Sequence, residues 1–166
     1  HILAVQPNVQ HIIGQKSRDW WHMSVSGWLY PPGTGLAMHE DGSGVYSGAY
    51  VYFLNTEWKP HWGGQLLLVD DQSNDNMRKY QKETDRMDVY KDKWLHANRT
   101  DNIIMDEGLA QCVFPKGNRI VFIANDAYHM VTRVNEQAGD NVRMSLAGFF
   151  VTSKEPIRSS DTDDYG

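Results

Sequence analysis

The sequence predicts a mainly β fold of the barrel or jelly-roll type, interrupted by one helical insertion. Two observations predict it. Short apolar stretches recur along the chain between glycine-bearing turns, the pattern of strands that close on one another. Between Pro60 and Pro115 there is no proline, and between Gly64 and Gly108 no glycine, so the middle of the chain lacks the punctuation found on either side.

The elements follow in order. Val5 to Ser17 is weakly patterned and fits a short strand or part of a helix. From Trp20 to Tyr30, Met23, Val25, Gly27 and Leu29 alternate with Ser24, Ser26, Trp28 and Tyr30, which predicts a strand. Pro31-Pro32-Gly33-Thr34-Gly35 breaks it. Val45 to Asn55, rich in Tyr, Val and Phe, predicts a long strand. Gly64 to Asp70 holds the continuous run Leu66-Leu67-Leu68-Val69, which suits a strand buried on both faces. Asn76 to Asn98 carries Met77, Tyr80, Met87, Tyr90 and Trp94 at roughly helical spacing, so an insertion at about 71–109 is expected to be helical, packed outside the barrel or serving as a lid. Arg119 to Ala124, His129 to Val134 and Val142 to Val151 predict three further strands. The tail from Ser159 is expected to fray.

Length and charge narrow the function. The 166 residues suit a single domain over 1–166, large enough for a core without disulfides. Net charge is −5 and no basic stripe appears, which argues against nucleic acid as a partner. No apolar run approaches the ~20 residues of a membrane helix. No signal peptide is evident, although the chain opens at His1 rather than Met, which leaves room for a natural start upstream. Cys112 is the only cysteine, which excludes a disulfide framework and argues against a cysteine-based zinc site. Its neighbours Ala110, Gln111, Val113 and Phe114 suggest a small buried side chain, and the expected compartment is the cytoplasm.

The chemistry gathers at His39-Glu40-Asp41. In an extended segment, residues two apart point to one side, so a single strand end can aim an imidazole and a carboxylate at one point. Alone, His-x-Asp is a weak signal. Three further residues strengthen it: His129 on a predicted strand downstream, and Arg143 with Ser145 on the next. Two histidines and a carboxylate are the facial triad of non-haem Fe(II) oxygenases, leaving positions open for a bidentate 2-oxo acid and dioxygen. A guanidinium can grip a remote carboxylate through two parallel hydrogen bonds, and Ser145 shares its face. Arg133, on the face of His129, is the rival anchor.

Four segments resemble the prolyl-4-hydroxylase-like branch of the 2-oxoglutarate/Fe(II) dioxygenases. They are Tyr30 to Asp41; Tyr50-Val51-Tyr52-Phe53-Leu54-Asn55 with Trp58 and Gly63-Gly64-Gln65-Leu66; Pro115 to Phe122; and His129 to Phe150. Their order and spacing agree over about Tyr30 to Val151, apart from the insertion. The resemblance implies a double-stranded β-helix, with His39, Asp41 and His129 as iron ligands and Arg143 as the anchor for 2-oxoglutarate. It also implies Tyr30, and as a further candidate Tyr52, beside the cosubstrate. Two departures stand out: Val134 to Asn141 lengthens the stretch before Arg143, and the insertion obscures the substrate.

The expected reaction hydroxylates an unactivated C–H bond and releases succinate and carbon dioxide. The carboxylate of Asp41 favours hydroxylation over halogenation. A free amino acid or other metabolite is the first substrate reading, on the compact chain and on Trp20, Trp21, Trp28 and Trp62. A protein side chain such as proline is the second. A cupin-like metal-binding or sugar-binding jelly roll is the reading from another class, and a non-enzymatic barrel the blandest. His61 reads as a loop histidine, and Gly63-Gly64 as a bend or a close backbone approach. The sequence carries no sign of oligomeric state.

Overall fold

The computed structural model describes residues 9–41, 44–69 and 110–155. The predicted helical insertion at 71–109 and the tail from Ser159 lie outside the described residues. Among the described residues, a short helix α1 (Gln10–Ile13) precedes nine strands. These are β1 (His22–Met23), β2 (Ser26–Tyr30), β3 (Leu36–His39), β4 (Tyr46–Phe53), β5 (Leu66–Val69), β6 (Ala110–Val113), β7 (Arg119–Ala124), β8 (His129–Val131) and β9 (Arg143–Val151).

The strands form two antiparallel sheets. One runs β1-β9-β4-β7, with β2 also paired to β9; the other runs β3-β8-β5-β6. From β3 to β9 the chain crosses between the sheets at every step except the β5–β6 pair, as a jelly-roll winding requires. The winding turns apolar side chains of β2, β4, β5, β7 and β8 to the space between the sheets. Tyr30, Ala49, Phe53, Leu66, Ile123, Val131 and Val134 form that core, with Val51, Leu68, Val121 and Phe149 packed against it. The outer face of the first sheet is covered at one end, where Ile13 and Trp20 close over Tyr50 and Phe150.

The predicted strands from Val45, Gly64, Arg119, His129 and Val142 are present, trimmed at their ends. Leu66 and Val69 are both buried on opposite faces of β5, as the continuous apolar run implied. Two expectations need correction. The stretch from Trp20 to Tyr30 is two strands broken at Ser24 and Val25. Within it the aliphatic set faces out: Met23, Val25 and Leu29 are exposed while Tyr30 is buried. The face turned inward is the one bearing Trp28 and Tyr30, because Tyr30 lies opposite Arg143 in the β2–β9 register. Cys112 is exposed rather than buried, on the edge strand β6.

Period-2 reading also misses β3. Its register against β8 slips between Leu36 and His39, so one extra residue is accommodated on β3. Strict alternation would put Leu36 and His39 on opposite faces. With the bulge, Leu36 packs on the inter-sheet core while His39 pairs with His129, and Met38 turns outward to Val69 and Tyr128.

These burial assignments separate two substitutions. Leu66→Ala, in the core, should cost about 2–5 kcal/mol, whereas Leu29→Ala should change stability by less than about 0.5 kcal/mol. Denaturant unfolding of both variants checks the pair, and an equal loss would mean that β2 faces the other way.

Candidate metal and cosubstrate site

The inward faces of β3 and β8 bring together a compact donor set. One ligand atom each from His39, Asp41 and His129 lies within 4.8 Å of the others, and among the described residues this is the grouping suited to a metal. The Asp41 carboxylate turns one oxygen to each ring: Oδ1 is 3.6 Å from His39 Nε2, and Oδ2 is 3.4 Å from His129 Nε2. The ring centroids of the two histidines are 4.3 Å apart. These separations are too long for hydrogen bonds. They approach the spacing of about 3 Å that neighbouring donors take around a cation with bonds of about 2.1 Å.

The backbone fixes the direction of both imidazoles. His39 Nδ1 lies 2.8 Å from the Ala37 carbonyl, and His129 Nδ1 lies 2.9 Å from the Ala127 carbonyl. A carbonyl oxygen can only accept, so each Nδ1 carries a proton, and in the neutral ring Nε2 is the nitrogen left to ligate. The same device, a carbonyl two residues upstream, therefore sets the tautomer of both ligands. His129 is buried, and His39 and Asp41 are half-buried, so the donor set is sheltered while keeping one side accessible.

Further along the barrel, Arg143 is almost fully buried, at 1% exposure. Its guanidinium lies between two aromatic rings, 4.9 Å from the centroid of Tyr30 and 5.0 Å from that of Phe53. Nε donates to the Gly64 carbonyl at 2.8 Å, and Nη1 donates to Ser145 Oγ at 3.2 Å. Nη2 is buried with no partner. A buried donor left unpaired is costly, so its presence points to a partner that the protein itself does not supply. Burial pushes the Arg143 guanidinium down to about 10, opposed by its interaction with Tyr30, and pushes the Tyr30 hydroxyl up to about 12, opposed by the charge of Arg143. Near neutral pH the first is a cation and the second a neutral phenol.

Local sequence explains why Arg143 can be held there. Gly64 adopts φ +69°, and a Cβ at this position would come within 2.8 Å of Arg143 Cδ. The expected close approach at Gly63-Gly64 is thus a contact with the guanidinium stem. Asn55 is buried at the end of β4 and brackets the arginine: its Nδ2 donates to the Val142 carbonyl at 2.8 Å, and its Oδ1 accepts from Met144 N at 2.7 Å.

Most of the expected site residues meet here. His39, Asp41 and His129 form the donor set, and Arg143, Ser145 and Tyr30 form the cationic end. Tyr52 is not brought to either. It points to the opposite face of β4 from Phe53, and its hydroxyl donates to Asn118 Oδ1 at 2.9 Å. Arg133 is exposed and its Nε donates to the Gly33 carbonyl at 2.8 Å. Of the tryptophans expected near substrate, Trp20 packs on Phe150 and Trp62 on Trp58, whereas Trp28 stacks on Tyr30. Sequence reasoning missed the roles of Phe53, Asn55 and Gly64. The signal for Asn55 and Gly64 was their place in the segments that carry the family resemblance; for Phe53 it was the parity of β4.

The donor set fits a divalent iron. Two neutral imidazoles and one carboxylate are the ligands that such sites use with positions left open. If Asp41 is a ligand, Asp41→Ala should lower Fe(II) affinity by more than the ~10–100-fold typical of losing a group that only orients a ligand, with the fold intact. Metal analysis after anaerobic loading and gel filtration checks this, and full occupancy in the variant would remove Asp41 from the set.

Known proteins are similar in fold. The solved structure of a Pseudomonas putida prolyl-4-hydroxylase is similar in fold, with a TM-score of 0.55 and 20% identity over 84% of this chain and 57% of that one. A prolyl 4-hydroxylase from Phytophthora capsici gives a TM-score of 0.49 at 16% identity, over 94% of this chain and 43% of that one. The chain thus spans little more than half the length of the first of these, and less than half of the second. No curated protein matches the chain. The model of the 2OG-Fe(II) oxygenase superfamily matches residues 25–151, most of the chain and both halves of the site, and the chain belongs to that family, whose cofactors are Fe(II), 2-oxoglutarate and dioxygen.

Proposed function

We propose that this chain is the catalytic domain of a hydroxylase that oxidises an unactivated C–H bond of a small substrate, such as a free amino acid or other metabolite. His39, Asp41 and His129 hold the iron in this reading, and Arg143 anchors 2-oxoglutarate. The observation that carries it is the unpartnered Nη2 of Arg143, buried in the same inter-sheet space that the donor set faces.

When bound, iron and 2-oxoglutarate would activate dioxygen, the oxidant, one oxygen atom going to the hydroxylated product and the other to succinate as carbon dioxide is released. The chain's own groups do the rest. Arg143 Nη2 and the free hydroxyl proton of Ser145 offer donors to the remote carboxylate, while Nε stays on Gly64 and holds the fork in one orientation. Neutral Tyr30 and Phe53 both pack against the buried guanidinium, which keeps water from competing for it. The carbonyls of Ala37 and Ala127 keep both histidine lone pairs in place through turnover.

The small-substrate reading is supported by an aromatic pair on the first sheet. Tyr46 stacks on Phe149 with centroids 4.2 Å apart and planes 13° from parallel, and Phe149 packs on the inter-sheet core. A flat aromatic surface suits a compact apolar or cyclic group. Hydroxylation of a prolyl side chain is the second reading, favoured by the similarity in fold to the Pseudomonas putida enzyme. Localisation in the cytoplasm stays part of the proposal, resting on a single cysteine and hence no disulfide framework.

An anaerobic titration with Fe(II) and then 2-oxoglutarate tests the site. A visible charge-transfer band should form in the wild type, vanish in His39→Ala, and require at least about tenfold more 2-oxoglutarate in Arg143→Ala, since a charged hydrogen-bonded contact is worth roughly 1.5–3 kcal/mol. Arg133→Ala should match the wild type; a greater effect there would move the anchor. Succinate release with free amino acids against proline-containing peptides then decides between the two substrate classes. The affinity for 2-oxoglutarate should also be flat from pH 7 to 9 as far as the anchor is concerned. Arg143 keeps its proton until pH nears 10, and Tyr30 keeps its own until about 12. A steep fall within that range would show that another group binds the carboxylate.

A further inference from the structure

Strand β9 begins at Arg143, and there its two neighbours part. On one side it is paired with β2, where Tyr30 lies opposite Arg143. On the other side the ladder with β4 ends at Phe53 opposite Ser145, two residues short of the arginine. Leu54 N still donates to the Met144 carbonyl at 3.0 Å, but the backbone then turns away, and the Asn55 carbonyl accepts from Gly117 N at 2.7 Å. The Val142 carbonyl and the Met144 N–H are thereby left without a main-chain partner among the described residues. The Asn55 amide serves both. Its Nδ2 donates to Val142 O at 2.8 Å, its Oδ1 accepts from Met144 N at 2.7 Å, and the residue is only 7% exposed. A primary amide carries a donor and an acceptor side by side, as a peptide group does, so one side chain supplies the missing rung of the ladder.

The residue between those two backbone groups is the anchor. Hydrogen bonds through Nε and Nη1 orient the guanidinium, but they do not fix where its stem begins. Ser145 is on β9 and moves with Arg143, so it cannot register the strand against anything else. Gly64 leads into β5 of the opposite sheet, and its bond to Nε holds only while the Arg143 backbone keeps its distance from that sheet. On one side the start of β9 is tied to β2, which among the described residues pairs only with β9. On the other it is tied by Asn55 to β4, a strand bonded along both edges, to β9 and to β7. The second tie is the firmer one. A misplacement of about 1 Å in a binding group is enough to cost a large factor in what it holds.

We propose that Asn55 is a positioning residue for the cosubstrate anchor: by closing the β4–β9 ladder on both sides of Arg143, it fixes where the arginine enters the inter-sheet space and so where the free Nη2 stands. This rests on Arg143 being the anchor. Asn55 acts on the remote carboxylate of 2-oxoglutarate alone, since its hydrogen bonds go to Val142, Met144 and Gly117 and to none of the metal donors.

The test is anaerobic titration of the Fe(II)-loaded protein, followed by the visible band of the chelated iron, with 2-oxoglutarate and, separately, with pyruvate, a 2-oxo acid that lacks the remote carboxylate. Asn55→Ala should weaken 2-oxoglutarate by about three- to tenfold, part of what losing a charged hydrogen bond costs, and leave pyruvate unchanged. Asn55→Ser, too short to span both backbone groups, should do the same and covers the case in which alanine impairs folding. Tyr52→Phe, which removes a hydrogen bond to Asn118 from the same strand, should match the wild type. In an Arg143→Ala background, Asn55→Ser should bring no further loss, because a residue acting through the arginine then has nothing left to position. A merely structural Asn55 would lower stability and leave the ratio of the two affinities as it is. Unchanged 2-oxoglutarate affinity in Asn55→Ser, a loss shared equally by pyruvate or by Tyr52→Phe, or a full additional loss in the Arg143→Ala background overturns the proposal. Arg143→Ala alone separates the two levels. If it weakens 2-oxoglutarate selectively while the Asn55 variants do not, only this inference falls; if it has no selective effect, the anchor assignment falls and this inference with it.

Discussion

The structure is organised around one buried cation. Taking a guanidinium out of water is expensive unless it is surrounded by groups that replace its hydration. Arg143 receives a carbonyl from Gly64, a hydroxyl from Ser145 and two ring faces from Tyr30 and Phe53, which come from four different segments. Each of those segments must be in register for the cation to be tolerated. The β2–β9 pairing sets Tyr30 opposite Arg143, the β4–β9 pairing sets Phe53 opposite Ser145, and the left-handed backbone at Gly64 lets the second sheet approach the arginine stem. The cation therefore ties the two sheets together at one end of the barrel, and its remaining donor marks where an anion belongs.

The donor set is built by different means. It needs no buried charge network, only two strands whose ends meet. The bulge on β3 turns His39 inward to pair with His129, and carbonyls two residues upstream orient both rings. Asp41 then lies between the two Nε2 atoms, with one oxygen toward each. The two ends share the inter-sheet space, and a linear dicarboxylic 2-oxo acid is the kind of molecule that can use both. In the proposed reading, chelation alone would accept many 2-oxo acids, the arginine adds a second requirement, and specificity for the cosubstrate follows from the need to satisfy both at once.

Much of this was legible in the chain. His39-x-Asp41, His129 and Arg143-x-Ser145 were recognisable because the chemistry demands those residue types, and because spacing of two in an extended segment places them on one side. The strands of the second half were legible because their apolar runs are bounded by glycine and proline. Other features were not. Alternation along β2 gives two faces but not which one is inside, and the aliphatic one proved to be exposed. Tyr52 and Phe53 are adjacent, and only the register of β4 against β7 and β9 tells which of them meets Arg143. The exposure of Cys112 follows from β6 being an edge strand, which no local pattern reveals.

By itself, then, the sequence determined the residue types of the site, the β character of the chain and the order in which ligands and anchor appear. These depend on local chemistry and on short-range periodicity, both of which survive in a linear string. Only the tertiary structure decided which aromatic side chains enclose the cation, how the bulge in β3 turns a histidine inward, and that Asn55, far from Arg143 in sequence, brackets it through the backbone on either side. Those are matters of strand pairing between distant segments. A shift of one residue in any of them exchanges the inside for the outside while leaving the sequence unchanged.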